Sequence, residues 1–130
     1  MHQFNKVLLV DDDDATNFLA ELAFKNLAIA NEIEIASDGL IAYEWIRQNN
    51  CPDIIFLDIR MPRMDGFDFL DNIAKTNVCK QAKVVMLTSS CRSEDKAKAF
   101  TYNAVVDYLE KPLTEEMIQK IADAFFQKQL

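Results

Sequence analysis

Five short apolar runs, at residues 7–10, 33–36, 54–57, 84–87 and 105–109, recur along the chain at intervals wide enough to hold a helix between each pair. Several are continuously apolar instead of alternating, which is what a strand covered on both faces requires, as in a parallel sheet lying between helix layers. The intervening segments carry helical spacing. Phe18, Leu22 and Ala23 are expected to share the buried face of the first helix, and Ile118, Ile121, Ala122 and Phe125 that of the last. Thr114 is placed to cap the last helix, with Glu115 and Glu116 complementing its positive end. Ser37 or Asp38 starts the second helix, which carries Ile41, Trp45 and Ile46; Ser93 starts the fourth, whose main apolar anchors are Ala97 and Phe100. Strands alternating with helices, about five of each, predict an α/β fold with a doubly wound parallel sheet and helices on both faces.

At 130 residues and 50% hydrophobic content, the chain suits one domain spanning residues 1–130 with one soluble core. Low-complexity tracts and Pro/Gly-rich linkers are missing from the sequence, and the last helix is expected to end close to the C-terminus, without room for an output domain. A formal charge of −7 repels nucleic-acid phosphate and anionic lipid, so neither a nucleic-acid nor a membrane partner is expected. No apolar run approaches the roughly 20 residues a membrane helix needs. Cys51, Cys79 and Cys91 are odd in number and unrelated in spacing. They read as free thiols in a reducing cytoplasm.

In open α/β sheets, ligands bind beyond the carboxyl ends of the strands, so polar residues that directly follow apolar runs are the candidates for chemistry. Asp11, Asp12, Asp13 and Asp14 follow the first run, Asp58 the third and Thr88 the fourth, with Lys111 shortly after the fifth. Clustered carboxylates resist joint ionisation unless a cation neutralises them, and a few hard oxygen ligands suit magnesium. With a carboxylate as nucleophile, a metal and a lysine offset charge on an incoming phosphoryl group while a hydroxyl donates to one of its oxygens. Asp58, Thr88 and Lys111 fit those roles; Asp13 and Asp14 are assigned to solvent or to capping the first helix.

Four segments, in order, resemble the receiver domains of two-component response regulators, most nearly the single-domain, chemotaxis-regulator-like kind. They are Leu8-Leu9-Val10-Asp11-Asp12, then Leu57-Asp58-Ile59-Arg60-Met61-Pro62-Arg63-Met64-Asp65-Gly66, then Leu87-Thr88-Ser89, then Tyr108-Leu109-Glu110-Lys111-Pro112. The resemblance implies a flavodoxin-like strand order 2-1-3-4-5 and a phosphoryl group accepted on Asp58 from a histidine kinase or histidine phosphotransfer protein. It implies Mg2+ held by Asp11, Asp12, Asp58 and the backbone carbonyl of Arg60, with Thr88 and Lys111 touching the phosphoryl group. It further implies a cis bond before Pro112, a switch made of Thr88 and Tyr108, and a downstream protein bound through the face of the fourth helix, fifth strand and fifth helix. Arg60 and Ser89 stand where receivers vary, and are assigned to tuning the lifetime of the phosphorylated state. A receiver of this kind catalyses only its own phosphorylation and dephosphorylation, and works as a monomer or weak dimer.

The rival reading is a haloacid-dehalogenase-type phosphatase using Asp12, because Asp12-Asp13-Asp14-Ala15-Thr16 fits an Asp-x-Asp-x-Thr pattern. It leaves the segment from Asp58 to Gly66 unexplained. A calcium loop starting at Asp12 fails outright, since Asn17 and Ala23 stand where Gly and Glu are required.

Overall fold

The computed structural model describes residues 2–90 and 92–128. Its strands are β1 (Phe4–Val10), β2 (Ala30–Ala36), β3 (Ile54–Leu57), β4 (Lys83–Thr88) and β5 (Val105–Glu110). They alternate with α1 (Asp14–Leu27), α2 (Gly39–Arg47), α3 (Gly66–Lys75), α4 (Ser93–Ala99) and α5 (Glu115–Lys128). All strand pairings are parallel and the order is β2-β1-β3-β4-β5, the doubly wound arrangement expected from the sequence.

Because successive strand residues point to opposite faces, each continuously apolar run feeds two cores at once. Val7, Leu9, Ile54, Phe56, Val85 and Leu87 pack against α1 and α5. Their neighbours Leu8, Val10, Ile55, Leu57, Val84 and Met86 pack on the other face, against α2, α3 and α4. The register then carries the strand ends to one edge: Val10 lies beside Leu57, Leu57 beside Met86, and Thr88 beside Glu110.

Two helices bury residues other than those expected. In α1 the buried stripe is Asn17, Ala20, Ala23 and Phe24, so Ala23 is buried as expected, whereas Phe18 is 63% exposed and Leu22 44%. At 100° per residue, Phe18 and Leu22 lie well round the helix from the centre of that stripe, so a pair four apart marked a face but not the buried one. In α4 the buried residue is Ala99, while Ala97 and Phe100 are exposed. Arg92 precedes this helix without a side-chain capping bond, so Ser93 is its first helical residue and not its cap. The other caps follow the sequence: Asp38 accepts from Ile41 N and Thr114 from Met117 N.

The expectation of three free thiols is also corrected. Cys51, between α2 and β3, forms a disulfide with Cys79, between α3 and β4, with Cα atoms 5.2 Å apart. Spacing along the chain could not reveal this, because the two loops meet only once β3 and β4 lie side by side. Cys91 lies outside the described residues.

Candidate phosphoacceptor site

Backbone hydrogen bonds from strand to strand set the positions of the site residues. Asp11 N donates to Ala36 O (3.1 Å), Asp58 N to Val10 O (3.0 Å) and Lys111 N to Thr88 O (3.0 Å), each bond continuing a ladder one residue past a strand end. The Lys111–Pro112 peptide is cis, as the resemblance implied. Asn17, the polar member of the buried α1 stripe, donates to Asp11 O at 2.9 Å and so fastens the helix to the acidic turn.

Asp11, Asp58 and Thr88 are buried in this edge, and Asp12 is exposed beside them. Carboxylate oxygens of Asp11, Asp12 and Asp58 lie within 4.8 Å of one another. Lys111 Nζ stands between the two buried acids, 2.7 Å from Asp11 Oδ2 and 3.2 Å from Asp58 Oδ2. Asp58 Oδ1 also accepts from Ile59 N at 2.8 Å. Burial, helped by repulsion from Asp58, pushes the Asp11 carboxyl above the ordinary aspartate value despite Lys111 and the Asp13 N–H. Burial opposes charge on Lys111, but Asp11 and Asp58 outweigh it and hold the ammonium above the ordinary lysine value.

A divalent cation fits this arrangement. The donors are hard oxygens on three converging side chains, and the buried Asp11 Oδ2, though close to Lys111, has no partner with hydrogen-bond geometry. Asp13 is engaged elsewhere: it caps α1, accepting from Ala15 N and from the Thr16 hydroxyl, and these bonds hold its carboxyl below the ordinary value. Asp13 thus takes the capping role, whereas Asp11 and Asp12 group with Asp58.

On the far side of the site, Thr88 Oγ1 accepts from Ser90 N at 3.2 Å, which leaves the hydroxyl its own proton to donate. Tyr108, half-buried on β5, donates its hydroxyl to Ser90 O at 3.0 Å, so both expected switch residues hold the same loop. The residue that joins them is Ser90, while Ser89, assigned to lifetime tuning, is exposed. Arg60 points its guanidinium along the surface toward Asp95, in the first turn of α4.

The loop after Asp58 is braced by residues to which the sequence reading gave no part in holding it. Arg63, in the left-handed region at φ 64°, donates from Nε to the enclosed Asp38 Oδ2 at 2.7 Å, and Gly39 N donates to Met64 O at 3.1 Å. The chain's two glycines sit where backbones touch: a Cβ at Gly39 would strike Met64 O, and one at Gly66 would strike Asp58 O. Burial alone would push the Asp38 carboxyl up, but Arg63 and the Ile41 N–H outweigh it and hold it below the ordinary value. A carboxyl lowered on folding stabilises above its unfolded value of about 3.9 and loses that contribution as pH falls through the folded value. Asp38→Asn keeps a capping oxygen but drops the charge. It is expected to cost roughly 1.5 kcal/mol at pH 7 and much less at pH 3, measured by urea unfolding at both. A cost equal at the two pH values would show that the charge contributes nothing.

The chain is similar to known proteins over most of its length. The FilR2 protein of Methanothrix harundinacea, described as a probable methanogenesis regulatory protein, is 32% identical over 122 residues, covering 90% of this chain and 78% of its own. The protein-glutamate methylesterase/protein-glutamine glutaminase of Methylobacillus flagellatus is 36% identical over 109 residues, which is 82% of this chain but 29% of that protein. Among solved structures, a two-component response regulator from Cytophaga hutchinsonii superposes with a TM-score of 0.88 at 28% identity, over 97% of this chain and 99% of the other. The model of the response regulator receiver domain matches residues 7–123, a span that takes in every strand end described above, and the chain therefore belongs to the response regulator receiver domain family.

Proposed function

We infer that this chain is a phosphorylation-activated switch of two-component signalling that takes a phosphoryl group onto Asp58 from a phosphohistidine. One observation carries the reading: a buried carboxylate, Asp58, lies beside a cation, Lys111, and its oxygens converge with those of two further acids. In the transfer, an Asp58 oxygen forms a bond to phosphorus as the phosphorus–nitrogen bond of the donor breaks, and its electron pair returns to the imidazole. Lys111 offsets charge on the phosphoryl oxygens, and the Thr88 hydroxyl has its proton free to donate to one of them. Asp11, Asp12, Asp58 and the Arg60 carbonyl would hold Mg2+, which when bound neutralises the acids and polarises the phosphoryl oxygens.

A protein donor must lay its histidine against this edge. The exposed Phe18, Leu19 and Leu22 of α1, the helix that begins two residues past Asp12, give it an apolar surface to rest on. Thr88 and Tyr108 both hold Ser90, so withdrawing the Thr88 hydroxyl toward a phosphoryl group disturbs the loop that leads into α4. The face of α4, β5 and α5, with Phe100 and Val106 exposed, is then the surface for a downstream protein. Among the described residues no helix is long and apolar enough to cross a membrane.

The phosphatase alternative has no support from the family match, and Asp12, its nucleophile, is the exposed acid of the three. The test is intact mass after treatment with acetyl phosphate, with magnesium and with a chelator. The expected result is one phosphoryl adduct, formed only with the metal and removed by hydroxylamine, as an acyl phosphate requires. Steady turnover of a generic phosphate ester without an adduct would favour the phosphatase.

A further inference from the structure

We propose that Asp95 competes with the phosphoryl group for the Arg60 guanidinium, and so sets the lifetime of the phosphorylated state and ties it to α4. This rests on Asp58 being the acceptor. Arg60 stands two residues beyond Asp58 on the rim of the site, and its Nη2 is 4.0 Å from Asp95 Oδ2. The two ends of the pair differ. The Arg60 side chain is 69% exposed and able to swing, whereas that of Asp95 is 15% exposed and is fixed by the Ser90 hydroxyl, which donates to the same Oδ2 at 2.6 Å.

Asp95 thereby joins two arms of the site. One runs through Arg60 to the loop that carries the acceptor; the other runs through Ser90, whose N–H donates to Thr88 Oγ1 and whose carbonyl accepts from the Tyr108 hydroxyl. A phosphoryl group on Asp58 brings close to two negative charges and oxygens suited to a planar, two-pronged donor, against the single charge of Asp95. Moving Arg60 onto it releases Asp95 from its cation while the Thr88 hydroxyl is drawn from the same loop. Both movements loosen the start of α4 together.

Hydrolysis gives the competition a sign. A water oxygen bonds to phosphorus opposite the Asp58 oxygen, the bond to Asp58 breaks to restore the carboxylate, and the water's proton leaves with the phosphate or to solvent. A guanidinium lying on the phosphoryl oxygens fills part of the path of that water. By holding Arg60 on α4, Asp95 keeps the path open and shortens the lifetime.

The experiment is the decay of the Asp58 adduct, formed with acetyl phosphate and magnesium and freed of excess donor, followed by intact mass in Asp95→Asn, Arg60→Ala and the double variant. Asp95→Asn keeps an oxygen for Ser90 and drops the charge. An exposed ion pair shifts an equilibrium by up to about fivefold, so Asp95→Asn is expected to lengthen the lifetime by about two- to fivefold and Arg60→Ala to shorten it. In the Arg60→Ala background, Asp95→Asn is expected to change nothing. An unchanged or shortened lifetime in Asp95→Asn would overturn the proposal, as would an equal lengthening with Arg60 already removed, which would assign the effect to the Ser90 loop. Failure of the unaltered protein to form any adduct would instead overturn the acceptor reading and the proposal with it.

Discussion

Asp58→Asn is expected to abolish phosphoryl incorporation while leaving the protein folded. The amide has no anionic oxygen to attack phosphorus, and the neighbouring acids are poorly placed to take over: Asp11 is buried against Lys111 and Asp12 faces solvent. The fold is expected to survive because the substitution removes a charge from a crowded cluster. Asp58 is one of the groups that raise the Asp11 carboxyl, so its neutralisation lets Asp11 ionise more readily, and Lys111 keeps a carboxylate at 2.7 Å. The backbone bond from Asp58 N to Val10 O is untouched. Circular dichroism and thermal unfolding are therefore expected to match or exceed those of the unaltered protein without metal, and stabilisation by added magnesium to shrink with the loss of one ligand. Full labelling of the variant would reject Asp58 as the acceptor. Loss of labelling together with unfolding would leave the acid a structural residue, which the geometry argues against.

The sheet and three of the four candidate site positions were legible in the sequence for one physical reason. A strand buried on both faces has to be apolar throughout, so the first polar residue after such a run marks the edge of the sheet, where Asp11, Asp58 and Thr88 stand; Lys111 instead follows half-exposed β5, which contains Asp107 and ends at Glu110, and only its motif marked it. Local chemistry also announced itself, as in the caps Asp38 and Thr114. What was not legible depends on packing between segments distant along the chain. The α1 stripe was misjudged because Phe18, Leu19 and Leu22 supply apolar residues on the side away from the sheet, and apolar spacing alone cannot say which side is covered. Asn17, Ser90 and Asp95 are ordinary polar residues until the turns around them close, and the Arg63–Asp38 pair bridges 25 positions. Asn17 carried a faint signal as the one polar residue on an otherwise apolar stripe. The others carried none that a single sequence exposes.

Reduction of the Cys51–Cys79 bridge is expected to lower stability strongly while leaving the phosphoryl chemistry intact. The bridge closes a loop with a sequence separation of 28, and in the chain-entropy picture a loop of that size restricts the unfolded state by about 3.5 kcal/mol at 25 °C. For a domain between the 100- and 150-residue classes, each kcal/mol moves the midpoint by about 4 °C, so the loss is expected to be on the order of 10–15 °C. The effect is expected to stay local because of where the bridge lies. Cys51 and Cys79 precede β3 and β4, whereas Asp58 and Thr88 lie at their carboxyl ends, and the buried strands between them keep both cores without the cross-link. Thermal unfolding with and without a reductant, in the unaltered protein and in Cys51→Ser, measures the cost; acetyl phosphate labelling at 25 °C under the same conditions measures the chemistry. The reductant is expected to lower the midpoint of the unaltered protein to about that of Cys51→Ser and to have no effect on the variant. Equal midpoints in all four samples would mean that the bridge contributes nothing to stability. Loss of labelling on reduction would show instead that the two ends of β3 and β4 are coupled, and that the segment before each strand helps to hold the acceptor in place.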